Sequence, residues 1–210
     1  MRARKHWCAL AVLGIVIAPG VVRAEETAAD LAKSARAACE EGRRAASRDQ
    51  RQQAFERGQA LAERAVALDD ASAAAHFALF CNMGELMRLD GESLSSVFEL
   101  RRLMAEVDRT LELDPRHSDA MAAKGTLLVR LPRLLGGDAT KGEALLRRAI
   151  ELDPNAFSCR LVLAKQVDAR GDRDEAVAFA TRALQIAREQ GRADKIAQAQ
   201  ATLAELHASE

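Results

Sequence analysis

The sequence predicts an all-α fold of stacked helical hairpins, and three observations predict it. One cadence returns along the chain: Ala65-Val66-Ala67-Leu68-Asp69-Asp70, Thr110-Leu111-Glu112-Leu113-Asp114-Pro115, Ala149-Ile150-Glu151-Leu152-Asp153-Pro154 and Ala183-Leu184-Gln185-Ile186. Its anchors Leu68, Leu113, Leu152 and Ile186 lie 45, 39 and 34 residues apart, a period typical of helical repeat arrays. Ala and Leu dominate the composition, which suits close-packed helices better than sheets. Between the Asp, Gly and Pro stops, apolar residues recur at helical spacing.

Residues 1–24 read as a secretory signal rather than as structure. Arg2, Arg4 and Lys5 form a charged start, Cys8 to Ala18 an apolar core, and Pro19-Gly20 a break before Val22-Arg23-Ala24. The apolar core is short against the ~20 residues that a membrane span needs. The expectation is export to the periplasm, cleavage after Ala24 and no integral membrane anchor thereafter, leaving one domain over 25–210. Without the four cations of that segment, 27 basic residues face 31 acidic ones, a net charge of −4. No electrostatic footprint for nucleic acid remains. The chain has no Tyr, and its one Trp, Trp7, lies in the same segment, so aromatic platforms for bases are not expected.

The elements follow in order. Glu25 to Ala46 is an Ala-rich first helix, and Ser47-Arg48-Asp49 caps a second over 50–68, with Phe55, Leu61, Ala62, Ala65 and Val66 as its apolar stripe. On the third, 72–89, His76, Phe80, Met83 and Met87 share a face. Cys81 points about 140° away from His76, which separates it from any soft-metal set they would form. Ser93 or Ser95 can cap a helix over 94–113, which Asp114-Pro115 stops. Helix 118–130 precedes the distinctive segment Leu131-Pro132-Arg133-Leu134-Leu135-Gly136-Gly137-Asp138. Its leucines either tuck under the hairpin as filler, the favoured reading, or form an apolar lip over a groove. Asp138 caps helix 139–152. Helices over 155–169 and 173–188 complete the repeats, and 193–208 carries one apolar face, Ile196, Ala199, Leu203 and Leu206, as a terminal cap needs.

Export would leave three cysteines, an odd number. They read as buried and unpaired, with one feasible bridge, Cys39 to Cys81, between neighbouring first helices. No catalytic, phosphate-binding or zinc motif is present, and no cofactor is expected. The chain reads as a non-catalytic binding scaffold.

These residues resemble the tetratricopeptide repeat (TPR) family. Residues 157–190 fit its unit without gaps, with Ala164, Ala176 and Ala183 at the small positions. Gly125, Gly142, Ala149 and Pro154 fit the preceding unit once the Leu131–Asp138 insertion is allowed. Residues 26–115 depart further, with Thr110 and Asp70 at positions that favour Ala and Pro. The resemblance implies a right-handed superhelix of about four hairpins plus a C-terminal capping helix, its concave groove lined by first helices. It also implies the groove candidates: Phe77 and Cys81, then Thr126, Val129 and Arg130, then Leu161 and Lys165; the lip reading of the loop adds Leu134 and Leu135. A groove of this mixture suits an amphipathic peptide or an apolar ligand, and the partner expected is a protein or peptide.

The string from Leu131 to Asp138, with Lys141-Gly142 and the Asp153-Pro154 stop behind it, also resembles the periplasmic T-component of TRAP transporters. That likeness implies an accessory protein binding a small apolar ligand or the transporter's substrate-binding protein. Members are commonly lipid-anchored, and the Cys for that is lacking here.

Overall fold

The computed structural model describes residues 26–89, 91 and 97–208. The expected leader, 1–24, and the candidate caps Ser93 and Ser95 lie outside them. The described residues form helices α1 (Ala28–Arg44), α2 (Arg48–Leu68), α3 (Ala73–Leu89), α4 (Val97–Leu113), α5 (Ser118–Arg130), α6 (Ala139–Leu152), α7 (Phe157–Asp168), α8 (Arg173–Glu189) and α9 (Ala193–Ala208). They pair as four hairpins, α1/α2 to α7/α8, with α9 left over. Each second helix packs on the first helix of the next hairpin, and α1 on α3, α5 on α7 and α7 on α9. The stack is the expected superhelix, with first helices on the concave side.

Chemistry at the ends explains the boundaries. Thr27 caps α1 and is answered by Asp30, and Ser47 caps α2 and is answered by Gln50, both as capping boxes. Asp138 and Asp172 accept from Lys141 N and Glu175 N to open α6 and α8. The first helix therefore starts at 28, behind its cap, rather than at 25. Helix α7 starts at 157 rather than 155 because Asp153 holds the turn: its carboxylate accepts from Asn155 N and its carbonyl from Ala156 N. Gly171 reverses the chain between α7 and α8 at φ 88, where a side chain would be strained.

Small residues set the helix spacing. Ala62, Ala65, Ala149, Ala164, Ala176 and Ala183 have no exposed surface, so each lets a neighbouring helix approach closely. Between α5 and α6 the approach is backbone to backbone. A Cβ on Gly125 would lie 2.8 Å from the Gly142 carbonyl oxygen, and one on Gly142 would lie 2.7 Å from that of Gly125. Larger residues fill the remaining space: Leu79, Met83 and Leu103 in the second hairpin, Leu146 and Leu163 in the middle, and Phe157, Leu161 and Ile186 under α9.

The reading of all three cysteines as unpaired is corrected for two of them. Cys39 and Cys81 form a disulfide between α1 and α3, Cα atoms 6.4 Å apart, packed beside Phe55. Cys159 is free and buried, and burial pushes its thiol up to about 11.

Candidate concave binding face

The groove candidates fall into three groups. Phe77, Cys81 and Leu161 are buried. Phe77 packs with Val107 and Ala120, and Leu161 with Phe157, Ile186 and Ala199. Cys81 offers no groove surface, because its sulfur is committed to Cys39. Truncating any of the three would damage the interior first. Thr126 and Val129 are half-buried on α5: the Thr126 hydroxyl donates to Ala122 O at 2.8 Å, and Val129 lies against Gly142 of α6. The exposed pair is Arg130 and Lys165. Lys165 reaches across to Glu205 on α9 at 2.7 Å, an ion pair exposed enough to be exchanged at little cost.

A second cluster on this side was only partly legible. The Arg36 guanidinium of α1 stacks over the Phe77 ring at 4.7 Å and reaches Asp119 of α5 at 3.4 Å, past α3 altogether. Phe77 stacks on Phe80 at 5.8 Å and meets the His117 imidazole at 4.4 Å. His117 is the N-cap of α5, its Nδ1 accepting from Ala120 N at 3.3 Å. Burial holds its pKa below the ordinary imidazole range and Arg36 adds to that, while Asp119 and Asp114 oppose it. Asp119 occupies a groove position of the repeat pattern. Arg36 carried no signal, because α1 matches that pattern too loosely to fix its register.

The segment after α5 is compact. Leu131 N donates to Leu127 O, Gly137 N to Pro132 O and Asp138 N to Leu128 O, at 2.9 to 3.0 Å, around a 3-10 turn over Arg133–Leu135. A Cβ on Gly137 would collide with Leu131 O, so the loop closes only with glycine there. This backbone ties the loop down and leaves Leu134 at its tip, 95% exposed. The filler reading is therefore wrong for Leu134. Leu135 is half-buried.

Outside this face, the candidate soft-metal residues serve the fold. His76 Nδ1 lies 2.7 Å from Glu106 Oε2 and Nε2 lies 3.0 Å from Asp70 O, while Met83 belongs to the core. Shallow clefts near α1 and α2, one lined by Asp49, Gln52, Gln53 and Glu56, hold none of the groove candidates. Among the described residues no helix is long and apolar enough to cross a membrane.

A family model described as TRAP transporter T-component matches residues 21–208. No curated protein matches the chain. Among solved structures, a thermophilic TPR protein of Thermus thermophilus is 19% identical with a TM-score of 0.57, over 73% of this chain and 78% of that one. The crystal structure of MamA is 17% identical with a TM-score of 0.53, over 80% and 82%. At such identity the likeness shows the fold, a TPR-like helical array.

Proposed function

From the premise that the chain belongs to the TRAP transporter T-component family, we propose that it is an exported, non-catalytic scaffold whose concave face and Leu131–Asp138 loop hold a protein partner, the substrate-binding protein of a TRAP transporter. The observation that carries the surface assignment is Leu134, a bulky apolar side chain 95% exposed on a loop whose backbone is fixed by its own hydrogen bonds. A rigid, water-exposed leucine gives nothing to the fold and presents an apolar knob at low entropic cost. Arg130 at the end of α5 and Lys165 on α7 supply exposed charge that orients a partner and speeds encounter. The fold and family are those of non-catalytic proteins. The Cys39–Cys81 bridge supports an oxidising compartment such as the periplasm, and N-terminal sequencing of native protein should begin at Glu25.

The test is capture from periplasmic extract on the immobilised chain, then titration of the recovered substrate-binding protein. Leu134→Ala should weaken binding roughly thirtyfold, the effect of losing an anchor of about 2 kcal/mol, with melting unchanged. Arg130→Glu and Lys165→Glu should slow association and flatten its salt dependence. Parent-like binding by all three variants would remove this face from the account.

A further inference from the structure

We propose that Arg36 is a subsite for an acidic side chain of the bound partner, and that Asp119 is the weak, displaceable occupant of it in the free protein. The inference rests on the concave-face reading and adds to it the chemistry that the partner must bring. Arg36 is a five-donor fork, and among the described residues its ion pair is one 3.4 Å contact from Nη2 to Asp119 Oδ2. Both partners reach water, with side-chain exposures of 33% for Arg36 and 60% for Asp119. A single long contact at such exposure is worth little. A carboxylate approaching square to the guanidinium makes two short parallel bonds instead, a stronger arrangement.

The fork is already aimed. Its guanidinium carbon lies 4.7 Å from the centre of the Phe77 ring, and Phe77 is itself fixed by Phe80, His117, Val107 and Ala120, so little rotamer freedom remains to be lost on binding. His117 is not a rival cation, because burial favours its neutral form and its Nδ1 lone pair is engaged by Ala120 N. The native competitor is Asp119, itself exposed in the first turn of α5, while Asp114 acts on His117. Arg36 also lies on α1, whereas Arg130 and Lys165 lie on α5 and α7. An acid at Arg36 therefore engages a different part of the face from the loop and the C-terminal hairpins. The partner inferred is a protein segment with an Asp or Glu facing the N-terminal hairpin.

The experiment uses the full chain and a displayed pool of random dodecapeptides, selected in parallel on parent, Asp119→Asn, Arg36→Gln and Arg36→Glu, with melting recorded for each. Parent should enrich peptides rich in Asp or Glu. Asp119→Asn should bind those same peptides about two- to fivefold more tightly, the strength of an exposed ion pair no longer competing. Arg36→Gln should lose about tenfold or more in affinity for them, and Arg36→Glu should switch selection toward Lys and Arg. A switch of preference cannot come from general loss of stability, so it separates recognition from folding. Enrichment with no acidic preference, or with a preference that the Arg36 variants leave unchanged, overturns the subsite. Peptides so selected that still respond to Leu134→Ala would leave the concave-face reading standing. Selection that yields nothing above a bare support also overturns it.

Discussion

His117 is the residue where solution conditions reach the fold most directly. Burial lowers its pKa, against the opposing pull of Asp119 and Asp114. The folded chain thus favours the neutral ring, while the unfolded chain protonates near the ordinary value of about 6.5. The contribution to stability is present above that value and is lost as pH falls below it toward the folded pKa. Protonation also removes the Nδ1 acceptor that caps α5. Melting temperature should therefore fall as pH drops below about 6.5, and His117→Asn, which caps without titrating, should flatten that slope. An unchanged slope in the variant would assign the pH response to other groups. The cap itself was not legible beforehand. Sequence patterns point to Ser, Thr, Asp and Asn at that position, and His117 takes it because the Asp114-Pro115 turn delivers its ring there.

At the scale of elements, the disulfide and the last helix are the parts that experiment can remove. The Cys39–Cys81 bridge closes a loop across 42 residues, and a chain-entropy argument gives such a crosslink about 4 kcal/mol, with measured values commonly about 2 to 4. Cys39→Ala/Cys81→Ala should lose that much in denaturant unfolding and leave Cys159 as the sole thiol of a described residue; a loss under about 0.5 kcal/mol would make the bridge incidental. Helix α9 covers the end of the stack, with Leu206 seated among Ala164, Val167, Ala176 and Ala180. Leu206→Asp should cost several kcal/mol, roughly 3 to 5, by removing an apolar contact and desolvating a charge. Hydrogen exchange should show α8 and α9 opening before the N-terminal hairpins, and uniform opening would contradict an array that frays from its end. The apolar face of α9 was readable as Ile196, Ala199, Leu203 and Leu206, but the polar Thr202 is buried as well, its hydroxyl donating to Gln198 O. Helices and stops were legible because Asp-Pro and Gly-Asp turns act locally. Which groove positions stay open was not, because Phe77 and Leu161 are closed over by neighbours on helices remote in sequence, α1 and α9.

At the scale of the molecule, this member of the TRAP transporter T-component family is a helical array, and the proposed binding features all lie on surfaces that the helices leave over. These are the exposed loop tip at Leu134, the charges Arg130 and Lys165, and Arg36 stacked on Phe77. The resemblance of the Leu131–Asp138 string to the T-component was the most specific signal in the chain, and the family match over 21–208 agrees with it. The central claim is that first helices and this loop, rather than the outer second helices, meet the transporter's substrate-binding protein. Amide hydrogen exchange of the full chain with and without that protein tests it most directly. The account predicts slowed exchange in α5, α7 and residues 131–138 on complex formation, with α6 and α8 little changed. Protection confined to α2, α4, α6 and α8, or no complex at protein concentrations of about 100 μM, would contradict it.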